Sequence, residues 1–223
     1  MNRKRLGIVI SVIAACVCMG VVDAVIQPGY AAKSAVKAVL FLCLPAAYAF
    51  FAKDWDVFMA AVPGKRGIWP AVLAGAAVYA VVLGAYFAFR NVFDFSALTT
   101  SLTATTGVNR RNFVWVALYI SFANSLLEEY FFRGFAFLTL RRHAGRRFAC
   151  CFSAAMFALY HIAMMIGWFD IVVVILALAG LFIGGLIFNR FDEWFGNIYM
   201  SWLVHMFANF ATNTIGFILF SMQ

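Results

Sequence analysis

Charge is scarce in this chain of 223 residues. Asp, Glu, Lys and Arg make up 12% of it, against 65% hydrophobic residues and a mean hydropathy of +0.93. Soluble domains carry roughly 25% charged and 45–50% apolar residues, so that class is excluded. Proline is also scarce, with four in all, and no long linker, internal repeat or low-complexity tract marks a second module. The five cysteines (Cys16, Cys18, Cys43, Cys150, Cys151) lie in or beside apolar stretches without paired metal-ligand spacing. They read as small hydrophobes rather than a zinc–thiolate site. The i,i+4 histidine pair of a soluble zinc-protease helix is missing too. The net charge of +8 suggests nucleic acid only at first sight. The basic residues sit in short loops between apolar runs, where they encode orientation and not a nucleic-acid patch.

What the chain does have is a succession of apolar runs, and a bilayer crossing needs about 20 such residues. The runs predict spans near 6–26, 35–52, 69–89, 112–140, 148–168, 170–188 and 198–220. The fold class is therefore all-α, a polytopic transmembrane bundle of about seven spans in the lipid bilayer. The stretch 91–111 is polar, with Ser96, Thr99, Thr100, Ser101, Thr103, Thr105 and Thr106, and reads as a loop with one short surface helix. Two regions follow: N-terminal helices and polar loop over 1–111, and a bundle over 112–220 that carries the chemistry. Arg3, Lys4, Arg5, Lys53, Lys65, Arg66, Arg141, Arg142, Arg146, Arg147 and Arg190 fall on one side. Lys33, Lys37, Arg90, Arg110 and Arg111 fall on the other. That bias predicts a cytoplasmic N-terminus, and seven spans put Gln223 outside. The segment Asn2–Arg5 followed by an apolar run resembles a signal peptide, but the run exceeds the ~7–15 residues of a signal core, so a retained first helix is expected.

Polar stripes cross three of the spans. Ser121, Asn124, Ser125 and Glu128 share a face of the fourth. Ser153, Phe157 and His161 recur by turns on the fifth, and Ser201, His205, Asn209 and Thr212 line the last. Polar groups at this spacing face a bundle interior or a wet cavity. On the sixth span, Gly180, Gly184 and Gly185 predict close helix approach. At 1.5 Å per residue, Glu128 and His161 each lie roughly 20 Å from the Arg141–Arg147 loop. His205 and Asn209 lie roughly 12 and 18 Å in from Asn197, so all four share one layer.

Charge inside an apolar span costs roughly 2.5–3.5 kcal/mol per residue and marks function. Glu129 and Arg133 are spaced i,i+4 and suit an intrahelical ion pair. Glu128 points about 100° away and is left as a base beside His161, able to hold and deprotonate a water. His205 and Asn209, one turn apart, can donate hydrogen bonds to an oxyanion. These groups form a hydrolytic kit for an amide bond.

The order Glu128-Glu129-x-x-x-Arg133, Phe157-x-x-x-His161, His205-x-x-x-Asn209, with Phe182-x-x-Gly185 between the last two, resembles the motif pattern of the CAAX protease and bacteriocin-processing (CPBP, or Abi) family of intramembrane endopeptidases. The resemblance covers about 112–216. It implies a glutamic-type intramembrane protease in which Glu128 and His161 activate water. His205 and Asn209 would form the oxyanion hole, and Glu129 and Arg133 would support them. It implies a membrane-associated peptide or protein substrate and, for so short a chain, a bacterial inner membrane. No cofactor is favoured. The alternative is Zn²⁺ held by Glu128, His161 and His205 with an open water position. Two other classes stand beside the enzyme: a non-catalytic immunity or scaffold relative, and an ion-coupled transporter, for which neither broken helices nor paired repeats are evident.

Several polar residues are expected to be bland. His143, Asp170, Asp192 and Glu193 read as solvated loop residues and Asp23 as interfacial. Trp55, Trp69, Trp168 and Trp194 read as interfacial anchors.

Overall fold

The computed structural model describes residues 3–62, 68–93, 95–165 and 170–222. Lys65, Arg66 and Trp168 lie outside them. All elements among the described residues are helical. Helix α1 runs Arg3–Ile26, its last turn π-helical from Val22; α2 is Tyr30–Ala52 and α3 is Trp69–Phe89. The short α4, Ser96–Thr106, is the surface helix expected in the polar stretch. A composite α5 covers 113–139, and α6 (Arg146–Tyr160), α7 (Ile171–Phe195) and α8 (Tyr199–Ser221) complete the chain. Among the described residues six helices are long and apolar enough to cross a membrane: α1, α2, α3, α6 extended to Met165, α7 and α8.

Helix α5, expected as a span, is not among these six, and the sequence explains its unusual form. It alternates α (Phe113–Tyr119), π (Ile120–Asn124), α (Ser125–Glu128) and π (Glu129–Thr139), with right-handed backbone at every junction. At 1.5 Å per residue it reaches about 40 Å, more than a hydrocarbon core of about 30 Å. Wide turns displace carbonyls from the i→i+4 ladder, and polar side chains then serve them. Asn213 donates to Ala117 O at 3.2 Å and Asn209 to Ile120 O at 3.1 Å. Thr139 Oγ1 reaches Gly134 O at 3.0 Å. The inward stripe of α8 is therefore Ser201, His205, Asn209 and Asn213, spaced by four. Thr212, expected on that face, is exposed and bonds only its own helix.

Lipid removes the hydrophobic drive between helices, which leaves close packing and polar contacts to hold the bundle. Helix α8 packs along α3, α7 along α6, and α6 along the lower half of α5. A Cβ on Gly185 would come within 3.0 Å of the Ala154 Cα, so this glycine sets the α6–α7 approach. Gly180 and Gly184, expected to share that role, have nothing within 4 Å and do not. Around α5 the aromatic residues lock α2 and α6 together. Phe41 stacks on Phe131 at 4.1 Å, and Phe132 packs edge-on against Phe41 and Phe157. Ser153 Oγ donates to Phe132 O at 2.7 Å, fixing α6 against the π segment.

Several polar residues expected in solvent are instead structural. Helix α7 continues seven residues past the predicted end at 188, carrying Asp192 and Glu193 into its last turns. Asp192 is fully buried and accepts from Ser201 Oγ (2.7 Å) and Ser201 N (3.2 Å), tying α7 to the start of α8. Glu193 collects Arg141, Arg146 and Arg190. His143 binds Asp54 at 2.7 Å, joined there by Arg142, Tyr48 and Lys4. Burial alone would push the Asp54 carboxyl up. The bond to His143, the charges of Arg142 and Lys4 and the Tyr48 hydroxyl outweigh it and hold the group below its ordinary value. Asp23 is closed off at the end of α1, paired with Lys33 at 2.5 Å. Asp170 is exposed and caps α7 through Val172 N, and Trp55, Trp69 and Trp194 are exposed, as expected.

Candidate active site

Four helices converge on the two adjacent glutamates. Helix α5 presents Glu128, Glu129 and Arg133, which are 2%, 0% and 0% exposed. The i,i+4 pair forms as the spacing predicts, with Arg133 Nε 3.1 Å from Glu129 Oε2. The guanidinium lies 3.9 Å from the centroid of the Phe157 ring and 5.0 Å from that of Phe188. None of its nitrogens makes a well-aligned hydrogen bond among the described residues. The cation is thus held by charge and by two aromatic faces, which gives the phenylalanine of Phe157-x-x-x-His161 a physical role.

Helix α8 closes the other side. His205 Nδ1 lies 2.7 Å from Glu129 Oε1. A carboxylate can only accept, so Nδ1 carries the proton. The other ring nitrogen, Nε2, then faces Glu128 Oε2 at 3.9 Å. The imidazole is wedged against Phe157 and Phe188, which fixes its plane.

The two oxygens of Glu128 have different partners. Oε1 accepts from Lys37 Nζ of α2 and from Asn124 Nδ2, both at 3.0 Å. Among the described residues Oε2 makes no hydrogen bond, and it faces His205 at 3.9 Å. Lys37 also donates to Asn124 Oδ1 at 2.7 Å, so ammonium, carboxamide and carboxylate form a closed triangle. Lys37, counted from the sequence as an orientation charge at the start of the second span, is 5% exposed. A lysine within an apolar helix was the available signal, because such a charge requires a counter-ion.

His161 ends α6. Its Nδ1 lies 2.7 Å from Phe157 O, an acceptor, so Nδ1 carries the proton and Nε2 is an acceptor. Nε2 makes no hydrogen bond among the described residues, and the ring interacts electrostatically with Glu128, Lys37 and His205. Asn209 sits one turn beyond His205, half-buried, with one amide N–H on Ile120 O. Among the described residues it makes no hydrogen bond to Glu128.

The structure therefore joins Glu128, Glu129, Arg133 and His205 by direct contacts, with His161 at electrostatic range. Within the set Glu128, His161 and His205, two atoms are already engaged. Lys37 holds one oxygen of Glu128 and Glu129 holds Nδ1 of His205. Among the described residues no three or more His, Cys, Asp or Glu side chains converge as metal ligands.

Residues 110–211 match the family described as Rce1-like, type II CAAX prenyl endopeptidase Rce1-like. This stretch contains α5, α6, α7 and the first half of α8, and with them every residue from Glu128 to Asn209 discussed above. The apolar helices make the chain an integral membrane protein, and the matched stretch, a little under half of it, is similar to the Rce1-like CAAX protease family, in agreement with the CPBP motif pattern of its sequence. No curated protein and no solved structure matches it.

Proposed function

We propose that the protein is an intramembrane endopeptidase that hydrolyses a peptide bond of a membrane-associated protein or peptide precursor without a metal. A water between Glu128 Oε2 and His161 Nε2 would meet two acceptors. One of them takes its proton as the oxygen attacks the scissile carbonyl. The oxyanion forms beside His205 Nε2 and the free N–H of Asn209. Because Nδ1–H of His205 is committed to Glu129, Nε2 donates only in the imidazolium form. Buried Glu129 supplies the balancing negative charge, and Arg133 holds that carboxylate in place. The proton taken from water passes to the leaving amine, completing hydrolysis.

The observation that carries this reading is the asymmetry of the adjacent carboxylates. Each oxygen of Glu129 faces a partner, Arg133 at 3.1 Å and His205 at 2.7 Å, whereas Oε2 of Glu128 stands 3.9 Å from His205 Nε2. We infer that the reacting water stands in that wider separation, beside the one oxygen of the pair that faces its partner at more than 3.5 Å. The setting we infer is a bacterial inner membrane with a cytoplasmic N-terminus. Mass spectrometry of peptides released from membranes with wild-type protein, without it, and with Glu128→Gln tests the function. Fragments present only with the wild type are expected. An identical peptide set in all three contradicts the proposal.

A further inference from the structure

Lys37 lies outside the family-matched stretch 110–211, on a helix whose role in the chemistry the motifs do not touch. We propose that Lys37 is a positioning residue: its ammonium, bridged by Asn124, fixes the Glu128 carboxylate so that Oε2 is the oxygen presented to the reacting water. This inference rests on the peptidase reading of Glu128.

The geometry is specific. Lys37 Nζ reaches Glu128 Oε1 at 3.0 Å and Asn124 Oδ1 at 2.7 Å, and Asn124 Nδ2 returns to the same Oε1 at 3.0 Å. Two donors on one oxygen remove the rotational freedom about the last bond of the glutamate. They also leave the carboxylate a single working edge. The ammonium stands 5.2 Å from the Tyr160 ring centroid, next to His161, so the face of that ring steadies it from below. A lysine that merely pinned α2 to α5 would need only one of these contacts. Here the lysine and the carboxamide it holds both donate to the one oxygen of Glu128 away from His205. The placement also gives the helices before the family domain a function, because α2 supplies the counter-charge that the catalytic helix lacks.

Lys37 touches no substrate in this scheme, so its removal disturbs turnover and not binding. A misplacement of about 1 Å at a reacting group costs on the order of 10²-fold in rate. The test uses full-length protein in proteoliposomes and a quenched peptide whose cleavage site is read from released fragments. Lys37→Met keeps shape and loses charge. It is expected to lower kcat by about 10–10²-fold with KM within about twofold, and Lys37→Arg is expected to restore most of kcat. An unchanged kcat in Lys37→Met overturns the inference, and so does an equal loss in Lys37→Arg and Lys37→Met. The melting midpoint supplies a second measurement independent of substrate. Glu128→Gln leaves Lys37 buried without its counter-ion, so Lys37→Met/Glu128→Gln should melt above Glu128→Gln alone. A double variant that melts no higher overturns the pairing itself. Glu128→Gln that cleaves at the wild-type rate removes the peptidase reading instead, a result distinct from either of these.

Discussion

His205 Nδ1 lies 2.7 Å from Glu129 Oε1 across 76 residues of chain, and on its far side Glu129 meets Arg133 at 3.1 Å. The second glutamate of the pair is thus the centre of a buried row of charge, its two partners drawn from the same helix and from the last one. Breaking a buried pair by removing one partner costs about 3–5 kcal/mol, because it strands a charge. Glu129→Gln strands Arg133 and should lose stability of that order in denaturant titration in mixed micelles. Glu129→Gln/Arg133→Met should recover much of the loss. Equal stability of Glu129→Gln and wild type would mean that the row is not cohesive.

Arg133 rests between two aromatic faces and not in a carboxylate fork, so its shape matters as much as its charge. Phe157→Leu removes the nearer face and should lower stability by about 1–2 kcal/mol. It should also loosen His161 and His205, which share that ring. A reduced midpoint together with reduced cleavage is expected. A loss of cleavage with no change in midpoint would argue against packing as the cause.

Helix approach should be sensitive at one glycine and not at its neighbour. Gly185→Ala brings a methyl to 3.0 Å from the Ala154 backbone and should cost about 1–3 kcal/mol. Gly184→Ala, with open space beside it, should be neutral or stabilising. Comparable losses at both positions would contradict the α6–α7 packing.

The cluster at the end of α2 should make stability fall in acid. The folded-state carboxyl of Asp54 lies below its ordinary value, so on acidification the unfolded chain takes up the proton first. The stabilisation is full above about pH 4, the unfolded value, and is lost as pH falls through the folded one. Asp54→Asn should reduce the midpoint at neutral pH and flatten this acid limb. An unchanged slope of midpoint against pH would show that Asp54 is not its source.

Much of this was legible in the sequence because charge in an apolar run is so conspicuous. Glu128, Glu129, Arg133, His161, His205 and Asn209 could be named from spacing alone, and the Glu129–Arg133 pair formed as i,i+4 geometry requires. Partner choice was less legible. Nothing in the order of residues says that His205 takes Glu129 and leaves Glu128 to Lys37, since both glutamates lie within a turn of each other. The π-helical stretches of α5 shift the faces of that helix in ways a 3.6-residue period does not anticipate. Asp192 escaped because α7 outlasts its apolar stretch, continuing through Asn189 and Arg190 into a polar last turn. Thr212 and Asn213 differ by one residue, and only the four-residue spacing from Asn209 selects the second.

The most direct measurement is peptide release by purified Lys37→Met/Glu128→Gln protein in liposomes beside wild type. The double variant removes the reactive carboxylate without stranding the lysine, so loss of activity cannot be ascribed to a disrupted fold. We predict a melting midpoint close to that of the wild type and no cleavage. A folded double variant that still releases peptide at the wild-type rate would contradict the assignment of Glu128 as the residue that activates water.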